Sequence, residues 1–536
     1  MYQHLPYIEI PTEFQSSWEG WDAIYQELQK AAGRVAKPKV VVAVECYHGT
    51  LDDANFQELK RRLQPNASCR TSYLFQECDV LQGIIRRRMY AGDKPTHFTG
   101  MAISDYFDPQ KLLAIQHSIN SIEEGVVLIY GTGASLVWEA DLLIYADMSH
   151  WETQQRLRRG DISNIGLNNA KAPFEQKYEI AFFNDWQACN QLKRELLHRC
   201  DYFLETNNWA KPKLASGTIV RRGLEQATHQ PIKMAPFFDP ELWEHLPAHN
   251  GHSKKNPPLE WWFSCVPEED NLLFRFGNLL FEAPLLNLVF YKPQSFLGQE
   301  VVRTFGTYLP VRFNFIDTTE NQDTDFQLNP ITHEIVDSLG CRYRQATGYY
   351  LLRAQPGAKL ELADPEQHPQ TLKVKELGLQ QHDFVQIPPG IPYRAGKKLT
   401  ALQISTAPQI FSVKLPPAPA EERLATAFSE IIRHPESPAT LASGQEDILS
   451  RDIIMLARHW FSQEIGFQTD GAINILLLVS GQSVVVESPA GLFKPFLARY
   501  GETFIIPAEV GAYRIRSLGK ESQLLAMLRA TVVTGP

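Results

Sequence analysis

The run Ala146-Asp147-Met148-Ser149-His150-Trp151-Glu152-Thr153-Gln154-Gln155-Arg156-Leu157-Arg158-Arg159-Gly160 concentrates polar and charged side chains. Asp147 closes an apolar stretch, residues 142–146, of the kind made by a strand buried on both faces of a parallel sheet. In open α/β sheets the carboxyl ends of such strands border the crevice where ligands bind, so Asp147 is a candidate for that crevice. Arg156 is a candidate for clamping a phosphate there; the alternative is that these arginines cover a solvated helix face.

Two glycine turns bear on the same question. After the apolar run at residues 40–44, a phosphate-binding loop would need Gly-x-x-x-x-Gly-Lys-Ser/Thr, because backbone N–H groups and a lysine must surround the phosphates. The chain instead reads Glu45-Cys46-Tyr47-His48-Gly49-Thr50, with no lysine and an anionic group in the way. Nucleotide binding by that route is not expected. Gly131-Thr132-Gly133-Ala134-Ser135 follows the apolar run at 126–130 and reads as a tight strand-to-helix turn that needs glycine for its own geometry. His249 and His252 are spaced like a weak metal pair but lie in a polar, Pro- and Gly-bearing link and are expected to be solvated.

The elements that must hold these groups follow from periodicity. An amphipathic helical pattern covers residues 18–28, and helical and buried-strand patterns then alternate, the signature of an α/β sandwich. Beyond the link the pattern turns to strands at 272–276, 286–290 and 311–317. Between 325 and 396 come short apolar or alternating runs closed by Pro or Gly, as antiparallel strands of a small β-barrel look when their turns are tight. Its last strand is Leu402-Gln403-Ile404-Ser405. After the stiff linker Pro416-Pro417-Ala418-Pro419, helical pattern covers 421–433 and, more briefly, 452–457. A second barrel is expected from about 458, with strands at 472–479, 483–487, 502–506 and 513–517. Its stretch from Phe504 to Arg514 echoes the first barrel's stretch from Phe384 to Arg394 over the same length, which supports two like units in one chain.

The pieces Asp325-Phe326-Gln327-Leu328-Asn329-Pro330, Gln345-Ala346-Thr347-Gly348-Tyr349-Tyr350 and Pro388-Pro389-Gly390-Ile391-Pro392-Tyr393-Arg394 resemble, in order and wording, the first cupin of class I mannose-6-phosphate isomerases, in the long bacterial form with an N-terminal kinase-like domain. The resemblance extends to the N-terminal run around Asp147 and so covers nearly the whole chain. It implies a multidomain fold: an α/β P-loop-kinase-like sandwich at 1–235 without its phosphate loop, a first cupin (jelly-roll) barrel at 236–415, and a helical link with a second cupin barrel at 416–536. The family holds zinc with, in chain order, Gln, His, Glu and His. By position these become Gln327, Asn329, Thr347 and Tyr393, so one ligand of four survives. Zinc requires imidazole, thiolate or carboxylate donors, and amides and hydroxyls replace them poorly. No metal and no other cofactor is therefore expected. The Trp-Gly-Gly element that covers the family's sugar site is also lost, since Trp243 is followed by Glu244, and the family's arginine turn is replaced by the proline linker ahead of Arg423.

Composition narrows the rest. The chain has 536 residues, 44% hydrophobic and 21% charged, with a formal net charge of -9 and no basic block or basic-aromatic stripe, which argues against nucleic acid as a partner. No apolar run approaches the roughly 20 residues needed to cross a bilayer, and the N-terminus lacks a signal-like pattern, so no membrane partner and a cytoplasmic location are expected. Seven scattered cysteines without a Cys-x-x-Cys pair imply reduced, mostly buried thiols. Three readings stand: an impaired isomerase relative that binds a sugar or sugar phosphate through Gln327, Asn329, Thr347, Tyr393 and Arg394; an active aldose-ketose isomerase with a displaced metal site drawing on His333, His382 or Glu334; and a regulatory or scaffold protein with a phosphorylated partner near Asp147 and Arg156. Oligomeric state is not legible.

Overall fold

The computed structural model describes residues 6–12, 15–50, 52–91, 94–95, 99–234, 269–318, 347–363, 374–387, 391–406, 431–432, 443–451, 454–518 and 524–534. The chain forms two compact units. One joins Tyr7–Gln226 with Asn271–Tyr291; the other joins Met1–Pro6, Ala227–Asp270 and Lys292–Pro536.

The first unit is built on five parallel strands, Lys39–Cys46, Ala67–Arg70, Gly125–Gly131, Leu142–Asp147 and Tyr202–Glu205. Numbered along the chain, they lie in the order 2-3-1-4-5, and Lys213–Ser216 and Ser17–Glu19 extend the sheet antiparallel beyond the fifth. Every residue from Val40 to Val44 is buried, as a strand covered on both faces requires. The helical pattern at 18–28 becomes the helix Trp21–Arg34, whose Ile24, Leu28 and Ala31 recur at helical spacing and are buried. Ser149 caps the helix His150–Arg159 by accepting from Glu152 N at 3.2 Å, and Gly160, with φ 74°, ends it.

The segment after the link returns to this same unit. Asn271–Phe276 is the expected strand, paired with Tyr7–Ile10 and Leu279–Pro284. The strand expected at 286–290 is instead part of the helix Leu285–Tyr291. Leu286, Leu288 and Phe290 alternate as a strand would, but Leu285, Leu288 and Val289 also stand at helical spacing, and these three are fully buried.

The second unit contains two pairs of antiparallel sheets, each pair enclosing an apolar core. In the first pair one sheet runs Val311–Asp317, Leu399–Thr406, Thr347–Ala354, Phe384–Ile387 and Ile431–Ile432, and the other Val374–Gly378, Lys359–Ala363 and Tyr393–Ala395. The second pair repeats that order: Ile454–Phe461, Leu525–Val532, Asn474–Ser480 and Thr503–Ile506 in one sheet, Phe496–Arg499, Ser483–Glu487 and Ala512–Ser517 in the other, with Ser443–Arg451 and Glu464–Gln468 added at edges. Residues 431–432 and 454–457, expected to be helical, are strands, since the sheets supply partners that a short local pattern does not reveal. Among the described residues no helix is long and apolar enough to cross a membrane. The five described cysteines are free.

Ile232 fastens the start of this unit to the second barrel through reciprocal backbone bonds of 2.9 Å with Ile505. Beside it Lys233 Nζ meets Glu502 Oε2 at 2.6 Å and Leu497 O at 2.8 Å, with both side chains buried. Removing one partner of such a pair strands the other charge. We predict that Lys233→Ala lowers the stability of this unit by about 3–5 kcal/mol in urea unfolding, whereas Lys233→Met with Glu502→Leu recovers most of the loss.

Candidate functional site

Strand pairing determines which side chains share the interior of the first barrel. Thr347 lies opposite Ser405 and Tyr349 opposite Gln403; Arg312 and Asn314 lie opposite the same two residues on the other side. Directly paired residues occupy one face. Tyr349 packs in the core with Leu351, Leu360, Val385 and Tyr393, so that face is the inner one. Tyr393 Oη donates to Thr347 Oγ1 at 3.4 Å, Gln403 Nε2 donates to Tyr349 Oη at 3.2 Å, and the two tyrosine rings meet edge-on at 5.9 Å. Burial pushes the Tyr349 phenol well above its ordinary value, so it remains a neutral hydroxyl.

Thus two of the residues placed at ligand positions by sequence converge, although they are 46 positions apart. Gln327 and Asn329 lie outside the described residues. Arg394 does not join them: it sits between two inward residues and pairs with Glu361 on the adjacent strand, in a group that includes Lys359. A strand's period of two sends it to the opposite face. His382, proposed for a displaced metal, bonds Tyr350 Oη at 3.0 Å, and Arg458 also donates to that hydroxyl, at 3.2 Å. Tyr350 faces away from the Tyr349 side, so His382 does not converge on Thr347 and Tyr393. His333 and Glu334 lie outside the described residues. Ser405, Gln403 and Arg312 were not singled out by sequence; polar residues alternating with apolar ones read as an outer face, and here that face is inward.

The donors of this site do not fit zinc. Thr347 and Tyr393 offer an alcohol and a phenol, and Ser405 and Gln403 beside them a second alcohol and an amide.

In the α/β unit, Asp147 stands at the carboxyl end of the fourth parallel strand, next to the first, where the chain's crossovers diverge. Its Oδ2 pairs with Lys193 Nζ at 2.8 Å and accepts from Asn287 Nδ2 at 3.1 Å. The Lys193 ammonium lies 4.6 Å from the Tyr47 ring centroid, and Tyr47 Oη donates to Asn190 Oδ1 at 3.0 Å. His48 accepts at Nδ1 from Trp186 Nε1 and contacts Ser163 O through Nε2 at 2.9 Å. Burial, then the nearby His48 and Lys193, push His150 down to about 3, so it is neutral. Arg156 is not part of a solvated face. It is 1% exposed, and its guanidinium donates to Glu152 Oε1, Gly49 O, Thr206 O and Asn207 O. It ties the loops at Gly49 and at Thr206 and Asn207 to the helix His150–Arg159.

Glu45 occupies the glycine turn. Its carboxylate accepts from Gly133 N at 2.6 Å and from Ser135 N and Oγ at 2.9 and 2.8 Å. The backbone donors that would suit an anion are thus taken by the chain's own acid.

Residues 20–229 match the family described as Domain of unknown function (DUF8485). No curated protein matches. Solved structures similar to this chain include a putative mannosephosphate isomerase from Archaeoglobus fulgidus, at 14% identity and TM-score 0.33 over 47% of this chain and 82% of that one. Others are a mutant phosphomannose isomerase from Salmonella typhimurium, at 12% and 0.35 over 51% and 90%, and a Cupin 2 conserved barrel domain protein from Leptotrichia buccalis, at 14% and 0.24 over 42% and 83%. None of these likenesses reaches a TM-score of 0.5, and they do not fix the family.

Burial raises the Glu45 pKa from 4.5 to about 7, against the opposing pull of the Ser135 and Gly133 donors. An acid whose folded-state pKa lies above its unfolded value contributes stability that is full below about pH 4.5 and lost as pH rises to about 7. Urea midpoints of wild type and Glu45→Gln between pH 4.5 and 7.5 should therefore diverge in slope: the variant carries a constant offset from its poorer acceptors but lacks this decline. Arg156→Ala leaves three carbonyls without their donor and is expected to cost about 3–5 kcal/mol, read by the same unfolding measurement.

Proposed function

We propose that the chain is a mannose-6-phosphate-isomerase-like protein whose first barrel, of cupin type, binds a sugar or sugar phosphate without a metal cage and has lost most isomerase activity. The observation that carries this reading is the meeting of Thr347 and Tyr393, the described successors of two zinc ligands, as a hydroxyl pair inside the barrel. Beside them Gln403 and Ser405 add an amide and a second alcohol, groups that pair well with sugar hydroxyls. Arg312 on the same face supplies a cation suited to a phosphate.

The family's reaction moves a proton between adjacent carbons, and its metal stabilises the developing oxyanion by several kcal/mol. Neutral hydroxyls and amides offer less to that charge than to the ground-state sugar. In the same reading the α/β unit descends from a kinase-like fold whose phosphate turn Glu45 has filled, which leaves it a supporting role.

Elemental analysis of the purified protein, an assay interconverting mannose 6-phosphate and fructose 6-phosphate, and thermal unfolding with mannose 6-phosphate test this together. The expected outcome is saturable protection that a chelator leaves unchanged, with Tyr393→Phe and Gln403→Leu each weakening binding roughly two- to tenfold. Stoichiometric zinc accompanied by turnover would sink the proposal.

A further inference from the structure

The two barrels share a register as well as a strand order. Asn474 pairs with Ile506 on one side and Thr531 on the other, as Thr347 pairs with Ile387 and Ser405. Leu476 lies between Phe504 and Arg529, as Tyr349 lies between Val385 and Gln403. Tyr513 donates to Asn474 Oδ1 at 2.8 Å, the counterpart of the bond from Tyr393 to Thr347. Asn474, Tyr513, Arg529 and Thr531 therefore hold in the second barrel the places of Thr347, Tyr393, Gln403 and Ser405 in the first. This face is again the inner one, because Met527 and Leu476 on it belong to the apolar core.

The exchange of Gln403 for Arg529 changes the chemistry of the place. Arg529 is half-buried and held on three sides: Nε donates to Asn474 Oδ1 at 2.8 Å, Nη2 to Gln468 O at 2.8 Å, and the guanidinium lies 4.9 Å from the Phe467 ring centroid. Among the described residues it has no carboxylate partner, and the Tyr513 hydroxyl lies within its hydrogen-bonding reach. Burial raises the Tyr513 phenol above its ordinary value, the Arg529 charge and hydrogen bond oppose that rise, and Asp470 adds a smaller push upward without forming an ion pair with Arg529 among the described residues. Thr531 is 9% exposed, and its Oγ1 has no hydrogen-bond partner among the described residues. A half-buried, oriented guanidinium without a carboxylate partner among the described residues, on the same strand face as a buried hydroxyl with nothing to bond, is a recognition geometry for a planar or tetrahedral oxyanion.

We propose that the polar end of the second barrel binds an oxyanion, the phosphate or carboxylate group of a small molecule, taken by the Nη1–Nη2 edge of Arg529 with Thr531 donating its hydroxyl. The site is distinct from the one assigned to the first barrel and does not depend on that assignment. Asn474 fixes the guanidinium plane by accepting its Nε–H, and Tyr513 fixes Asn474 in turn. Both are positioning residues.

Calorimetric titration of the intact protein with inorganic phosphate and, separately, with succinate, at an ionic strength held constant by sodium chloride, tests the site. Saturable binding of at least one anion is expected, and the preferred one distinguishes a phosphate from a carboxylate ligand. Arg529→Gln should weaken it at least roughly tenfold and Thr531→Val about threefold, while Arg61→Gln on the exposed surface of the α/β unit leaves it unchanged. Melting of each variant without anion controls for folding. Should Arg529→Gln fail to fold, Arg529→Lys carries the comparison, since it keeps the charge but lacks the fork. Absence of saturable binding by both anions, or wild-type affinity in the arginine variant that folds, overturns the proposal.

Discussion

Successive side chains of a β-strand point to opposite faces, and that single constraint decides what either barrel can hold. In the first it sends Tyr349 and Tyr393 inward and Tyr350 and Arg394 outward, so neighbours in sequence end in different chemical environments. Inside, the phenols can be buried only because Thr347 and Gln403 stand across from them to complete hydrogen bonds. Outside, the charges of Arg394 and Lys359 are answered by Glu361. A one-residue slip of register would bury the ions and expose the phenols, and each apolar core therefore pins its polar cluster in place.

A different balance governs the α/β unit. Asp147, Lys193 and Arg156 are all withdrawn from water, which is costly unless each charge meets partners within the fold. Asp147 and Lys193 meet each other, and Arg156 finds one carboxylate and three carbonyls. The returning helix Leu285–Tyr291 contributes Asn287 to the same carboxylate. What would be an open crevice in a ligand-binding sheet of this kind is here lined by groups already engaged with one another.

How far the sequence disclosed this depends on the range of the signal. The runs at 40–44, 126–130 and 142–146 were legible as buried strands because their apolar character is local and continuous. The echo between the two barrels was legible for the same reason, since aligned local patterns need no tertiary information. Residues 286–290 and 454–457 were misread because short runs fit both periods, and only partners far along the chain resolve them. Arg156 carried no sign of burial, its four acceptors coming from three separate segments. Arg394 follows Tyr393 directly, and in a strand direct neighbours point to opposite faces, so it pairs with Glu361 instead. Gln403 is not conspicuous because a polar residue in an alternating strand normally faces water, and Arg529 lies in the strand Leu525–Val532, whose residues do not alternate and which no local pattern announces.

The last two positions show how one frame supports two chemistries. At a given rung the backbone, the facing tyrosine and the flanking alcohol are retained, while the core side chain (Tyr349 or Leu476), the group opposite it (Gln403 or Arg529) and the tyrosine's partner (Thr347 or Asn474) differ. A glutamine there is neutral and can be satisfied by one phenol, so the interior of the first barrel closes around it. An arginine cannot be satisfied in that way: its charge must reach solvent or a counter-ion, and its bulk must be braced. Asn474 in place of Thr347 provides the brace, because an amide oxygen accepts from Tyr513 and Arg529 at once, while its Nδ2 is tied to Ala472 O. The paired changes at these two places are thus one physical adjustment, and it leaves the guanidinium half-buried at the point where the equivalent amide is fully enclosed.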